Sequence, residues 1–598
     1  MSSSPRIALL SAAVLAAVSL RASADDAPAS LDHIQVTGNR IAQPAEAALQ
    51  SVTVLTRADI EASRVADLSD LLAQQAGIDI VRTGGSGSQN SLFLRGGNAN
   101  HTLLLVDGIR VNSATQGIFD LAHLPLALIE RIEIVRGPRA AVWGSDAIAG
   151  VIQIFTRAPD GVQGEVRAGS YGRAGFDAAY GNGAFGISAG YDRLDGFSAT
   201  NPGNVWNYDP DRDGYRNRHV ALQGKSALGG QTLSFSGIAT RGETEFDQGR
   251  TQADNHSWSA GLAGPLGTDW SHELRLGQAY EKLDTPAYSS IYGTRRDSLD
   301  WTHTLAAGDA GTLAFGANAV RERGYSLGWG GPEFRESRRN TGLFAVWNGQ
   351  WQDQRFELAT RWDDNSQFGS HHTSSAGWAW QLDAGRRLRA SWGQGFRAPN
   401  FNELYYPGFF GSYAGNPDLQ PERSRTAELG YDSSLGGNGQ LRLSAYRSHV
   451  DDLISFAGVN NQAINIAQAR ITGAEAELSG NAGAWQWRAT GTWTQAVDAA
   501  SGDPLLRRPK LKGLLAAGYR FDGGSDLGLE LSAYDKRPDI GTTLPGFARL
   551  DLTAAWPLSP SWRLEARIEN LFDRDYELLD GYNTPGRSAL LRLRFGTP

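Results

Sequence analysis

The sequence contains no cysteine, which excludes a disulfide framework, a thiolate metal site and a cysteine nucleophile together. It has no surplus of basic charge: 56 Lys and Arg stand against 64 Asp and Glu, for a formal net charge of −8. With both signs mixed along the chain, nothing marks a nucleic-acid footprint. Long hydrophobic runs are missing beyond residue 20, and the run before it, Ile7 to Leu20, has fourteen residues. That is short of the roughly 20 that a helix needs to cross hydrocarbon. Arg6 before the run and Ala22-Ser23-Ala24 after it fit a signal peptide with a small-x-small cleavage site, so residues 1–24 are expected to direct export. A mature chain that enters a membrane without spanning helices must do so as a closed barrel, which leaves no backbone group unpaired in lipid.

What is there suits that demand. The 598 residues include 72 Gly, 17 Trp, 18 Tyr and 22 Phe, a mix for many strands, tight turns and aromatic girdles rather than long helices. From about residue 160 onward, segments of about ten residues alternate apolar with polar positions between Gly, Asp, Asn and Ser turns. Trp485, Trp487 and Ala489 share one face against Gln486 and Arg488. Leu550, Leu552, Ala554 and Trp556 oppose Asp551 and Thr553, and Leu591, Leu593 and Phe595 oppose Arg592 and Arg594. One face is expected to meet lipid and the other a wet lumen. Alternation alone is equally compatible with a soluble propeller or sandwich; the export signal and the final aromatic, Phe595, favour the membrane. Residues 25–158 read as a compact α+β unit. Helical spacing over Val65 to Gln75, with Asp67 or Ser69 as cap, leads to strands at Gly77 to Val81, Leu92 to Arg95 and Thr102 to Val106. A second helix-like stretch at Leu124 to Arg131 precedes a strand at Ile132 to Arg136.

The phrases of that unit, "IQVTGNR" (Ile34 to Arg40), "LFLRGG" (Leu92 to Gly97), "LLVDGIRVN" (Leu104 to Asn112) and "IERIEIVRGPRAAVWGSDAIAGVIQIFTR" (Ile129 to Arg157), resemble the plug of TonB-dependent outer-membrane transporters. Later segments, "GQGFRAPNFNELYY" (Gly393 to Tyr406), "GNPDLQPERS" (Gly415 to Ser424) and "IENLFDRDYE" (Ile568 to Glu577), resemble the barrel of that family. The resemblance implies an all-β transmembrane barrel of 22 antiparallel strands with an N-terminal α+β plug domain inside the lumen, in the outer membrane of a Gram-negative bacterium. It implies a periplasmic segment at 25–45 with a Ton box within 32–40, a plug at 46–158 and a barrel at 159–598. Asp32, His33, Ile34, Gln35, Val36 and Thr37 are then the handle for the periplasmic TonB protein, an extended run with no sheet partner of its own that TonB captures by strand addition. "DHIQVTGNR", "TGGSGSQNSLFLRGGNANH" (Thr83 to His101), "DDNSQFG" (Asp363 to Gly369) and "PLLRRPK" (Pro504 to Lys510) are similar to the cobalamin-receptor branch.

By that likeness, Gln89, Ser91, Asn98, Gln116 and Gly117 form the floor of a cobalamin site, with Arg507 reaching in from a barrel loop. Gln89 replaces an apolar residue usual there. Amide, hydroxyl and backbone partners of this kind suit a corrinoid with peripheral amides. Asp209, Asp211 and Asp213, in the run Asp209-Pro210-Asp211-Arg212-Asp213-Gly214, alternate like the first half of a calcium loop whose closing Glu is missing. With Asp247 and Asp254 from the next loop they are expected to hold structural calcium. Ser198 stands where the branch has another aspartate, leaving Asn201 or water to complete a site. Arg131, Arg136, Arg139, Glu130 and Glu133 suit a detachable interface between plug and wall better than a phosphate cradle. No nucleophile elbow or metal-hydrolase spacing occurs, so no enzyme is expected, and a monomer without redox cofactor is. A ferric-siderophore receptor of the same family and a passive or adhesive barrel are the other readings; a plug apex rich in Gly, Ser, Asn and Gln favours neutral cargo over an anionic iron chelate.

Overall fold

The structure, a computed structural model, describes residues 35–596 apart from 206 and 437; the signal peptide expected over 1–24 lies outside them. Twenty-two antiparallel strands form one closed ring in which each strand pairs with its sequence neighbour. The ring closes where Asp160–Gly169 pairs with Ser588–Phe595. Closure answers the membrane's demand, because an open sheet would leave an edge of unpaired N–H and C=O groups in lipid. The alternation read from the sequence is carried out residue by residue. Leu591 and Phe595 face outward and are exposed, whereas Arg592 and Arg594 turn inward to the Val65 carbonyl and Glu61 of the N-terminal unit. Arg488 likewise donates inward to Gln74 O at 2.9 Å and Gln75 Oε1 at 2.8 Å. The lumen is charged and internally paired: Arg361 and Asp363, both fully buried, meet at 2.6 Å.

The plug fills that lumen. Its sheet has the order Val52–Leu55, Ile129–Arg136, Gly150–Thr156, Thr102–Val106, Ile109–Arg110, with one parallel pair, Thr102–Val106 beside Gly150–Thr156. A hairpin of Ile78–Arg82 and Asn90–Leu94 stands apart. Helix Arg57–Ser63 begins in a capping box between Thr56 and Asp59 and ends at Arg64, in the left-handed region at φ 53°. Helix Leu68–Ala73 is capped by Asp67, as its sequence position suggests. Leu68, Leu71, Leu72, Ile132, Ile134, Ile152 and Ile154 form the buried core between helices and sheet.

The helix expected over Leu124 to Arg131 does not form. A single 3-10 turn, Leu126–Leu128, is followed at once by the strand starting at Ile129. The end of the expected helix is drawn into the sheet instead: Ile129, β-branched, pairs with Thr156 and Arg131 with Phe155, continuing the strand through Ile132 and Ile134.

Candidate functional site

Plug arginines plug into glutamate sockets on one side of the barrel. Arg95, just past the strand Asn90–Leu94, reaches Glu428 at 2.6 Å and Glu475 at 2.7 Å, with its guanidinium stacked 4.3 Å from the Tyr446 ring. Arg136, at the end of Ile129–Arg136, meets Glu477 at 3.1 Å and donates to Ala76 O at 2.9 Å. Arg139 reaches Glu357 at 3.1 Å, and the Asn39 and Gln50 amides donate to the same carboxylate at 2.8 and 2.7 Å. Nearly all of these groups are buried. Each charge has therefore lost water and is tolerable only while its partners stay docked. The expected interface role of Arg136 and Arg139 is thus supplied by barrel glutamates that carry no motif of their own. Their one sequence signal is an acidic residue at an inward position in mid-strand, as at Glu428 between Ala427 and Leu429.

Of the expected coupling handle, Asp32, His33 and Ile34 lie outside the described residues. The remainder does have a sheet partner, contrary to the expectation: Gln35–Val36 pairs antiparallel with Gln43–Pro44. Val36 is buried, and Thr37 N donates to Glu133 Oε2 at 2.9 Å. Arg40 then anchors the chain to the wall. Its guanidinium lies 4.3 Å from the Trp143 ring and 4.5 Å from that of Phe344, and it pairs with Asp300 of the barrel at 3.0 Å. The reason for the pairing is local: Arg40, at φ 64°, reverses the chain, so the following residues fold back along the preceding ones.

At the apex, Gln89 is exposed and its carbonyl accepts from Thr83 N at 3.1 Å. Ser91 lies in the strand Asn90–Leu94. Gln116 and Gly117 close a turn over Ser113, whose carbonyl accepts from Gly117 N at 2.8 Å. Gly117, at φ 79°, holds a conformation that strains any side chain, and a Cβ there would crowd Asn100 and Asn400 near 3 Å. The arginine assignment is corrected. Arg507 turns away and pairs with Asp539 of a neighbouring loop at 3.1 Å. Arg508 is the one that reaches the plug, donating to Asn98 Oδ1 at 2.7 Å and to the Gly96 and Gly97 carbonyls at 3.1 Å, over the Phe93 ring. Arg507 has φ 69°, and the chain bends in the left-handed region between these two sets of contacts. Asn98 is consequently engaged by the protein itself.

Above the apolar band, Asp211, Asp213 and Asp247 bring carboxylate oxygens within 4.8 Å of one another. Both Asp247 oxygens and Asp213 Oδ1 are buried without a partner, while Asp213 Oδ2 accepts from Ala199 N at 2.6 Å. Burial, then the charges of Asp247 and Asp211, push the Asp213 carboxyl up to about 7. Unpaired hard oxygens under mutual repulsion are what a calcium ion would relieve. Two of the five expected ligands do not join them. Asp209 stays outside the cluster and offers its backbone carbonyl to Ser198 Oγ at 2.9 Å. Asp254 falls inside the strand Gly249–Pro265, where cross-strand register sets it against Arg241 at 3.4 Å. Asn201 is engaged with Glu577 and Gly203, and Ser198 fills a loop-bracing role.

Two family models match the chain: a TonB-dependent receptor-like β-barrel over residues 159–571 and a TonB-dependent receptor plug domain over 44–151. Among solved structures, a mutant of the ferric enterobactin receptor of Pseudomonas aeruginosa is 20% identical, with a TM-score of 0.76, covering 91% of this chain and 98% of that one. The siderophore receptor PirA of Acinetobacter baumannii is 19% identical at a TM-score of 0.76, again covering 91% and 98%. The copper transporter OprC is 19% identical at 0.74, covering 89% and 95%. At such identities the likeness is one of fold.

Proposed function

Since this chain belongs to the TonB-dependent receptors of the Gram-negative outer membrane, we propose that its cargo is a bulky metal chelate drawn through the lumen by TonB pulling on the segment Asp32 to Thr37. Strand addition captures an extended backbone, and the Gln35–Val36 pairing with Gln43–Pro44 holds that backbone in strand form until it is taken. Release requires Arg40 to leave its aromatic clamp, so the pull is transmitted first to the plug's edge on Trp143.

The apical loops support cobalamin as cargo. What supports this reading is a polar, uncharged set of residues in the plug's loops, Gln89, Ser91, Gln116 and Gly117, together with the Asp211, Asp213 and Asp247 cluster, whose buried oxygens lack partners. Calcium held there would order the loops before cargo arrives. Arg508, rather than Arg507, supplies the barrel-loop contact, and Asn98 acts through it.

A ferric siderophore is the second reading, and the solved structures speak for it: two of those compared are siderophore receptors by name. Equilibrium binding of cyanocobalamin and of a ferric-siderophore panel to the purified protein, with calcium and with a chelator, separates the two. Cobalamin binding weakened by chelation supports the first; siderophore binding alone, insensitive to chelation, replaces it with the second.

A further inference from the structure

The plug is held unequally around its circumference. The sockets Glu357, Glu428, Glu475 and Glu477 lie on the strands Gln354–Asn365, Glu422–Ser434 and Ala463–Ala482. Gln354–Asn365 is the eleventh strand of the ring, half-way round from the closure of first strand on last. At the closure the packing opens into two cavities. One, of about 70 Å³, touches Arg57, Glu61, Leu126 and Glu165; the other, of about 120 Å³ and nearer the extracellular loops, touches Asp70, Tyr171, Phe197, Phe547 and Tyr576. Ala66, Ser86 and Arg173 border both.

What separates the cavities is thin. Arg173 bridges from Asp192, at 2.6 Å, to the Ala66 carbonyl at 3.5 Å, and its buried Nε has no partner. Along the linker Ser63 to Ala66 the plug offers the wall neutral carbonyls: Ser63 O accepts from Arg567 at 2.8 Å and Val65 O accepts from Arg592. Among the described residues, two ion pairs cross this face, Arg64 with Asp526 and Glu61 with Arg594. Asp526 keeps a second partner, Arg563 at 2.6 Å, when Arg64 leaves. A carbonyl that gives up a guanidinium beside a cavity can be rehydrated, whereas a buried glutamate that gives up its arginine is stranded. Local opening follows the weaker set.

We propose that cargo passes the plug along this seam: the linker Ser63 to Ala66 and the apical loop Gly84 to Ser86 swing away from Arg173 and merge the two cavities into a passage, while the socketed face stays docked. This rests on the transport reading above. The absence of cysteine gives a clean test. Single variants Ala66→Cys and Ser86→Cys report the seam; Ala141→Cys, packed in the cluster with Phe344, Val346 and Ala359, reports the opposite face. Each is exposed to a membrane-impermeant maleimide on intact cells during uptake of cyanocobalamin or of a ferric-siderophore panel, against de-energised cells. Labelling at 66 and 86 is expected to rise about tenfold or more on energised uptake, a shift of about 1.4 kcal/mol in the opening equilibrium, with Ala141→Cys unchanged. Ala141→Cys rising in step, as when the whole plug departs, overturns the proposal; so does unchanged labelling at 66 and 86 while uptake proceeds. Uptake by the unsubstituted chain is measured in parallel, and its absence for every cargo would sink the transport reading itself.

Discussion

The two faces of the plug solve the same problem, a folded domain inside a polar tube, with opposite chemistry. Toward Glu357, Glu428 and Glu475 the plug presents charges that the wall must answer; toward the ring closure it presents mostly backbone, which water answers equally well. The difference teaches that an interface can hold firmly on one side and yield on the other without any hinge, because the cost of separation depends on whether solvent can replace the lost partner.

The sharpest way to break this contrast is Glu475→Ala, which leaves Arg95 and Arg136 short of a buried carboxylate. Its expected cost is about 3–5 kcal/mol in plug docking, read as the urea concentration at which Ile129–Arg136 loses hydrogen-exchange protection. A shift smaller than that of any closure-face variant would show the faces to be alike. Next comes Arg40→Ala, expected to cost about 2 kcal/mol through the two ring contacts and the Asp300 pair. A spin label at Thr37 should become mobile in that variant without cargo, while exchange in the plug core stays slow. On the closure face, Arg64→Ala is expected to cost less than Glu475→Ala, because Asp526 retains Arg563 and no buried carboxylate is left unpaired; the same urea experiment checks it. The smallest effect on docking is assigned to Asp247→Asn, within about 0.5 kcal/mol on either face. Calorimetry should nevertheless show its calcium binding weakened or lost, and a variant that binds calcium normally removes the cluster from the account.

Much of the fold was legible because a barrel imposes a period of two that survives in the sequence, as Trp485-Gln486-Trp487-Arg488 shows, and because Asp67 and Thr102 to Val106 obey local rules. The strand expected from Ile132 begins three residues earlier, at Ile129, since its neighbour in space, Gly150–Thr156, decides against the helical spacing there. At the sites, residue type was readable and partner was not. Arg136 and Arg139 announce an interface, but the sockets are single glutamates whose inward aim depends on strand register. Asp254 failed for the same reason, one strand's register having set it against Arg241. Adjacent Arg507 and Arg508 cannot be told apart until the bend between them is known, and the fold-back of Gln35–Val36 depends on the reversal at Arg40.

The ring closure carries one more lesson, about order in time. Only residues 157–159 separate the plug's last strand from the barrel's first, and that first strand is the one the last must find. Six residue pairs make that junction, against sixteen between Ser290–Ala306 and Thr312–Gly328. A contact between the two ends of so long a sheet forms late. The plug contacts carried by that last strand, Arg594 with Glu61 and Arg592 with the Val65 carbonyl, can form only once the strand has come round, so sealing the ring and seating this face of the plug are completed together.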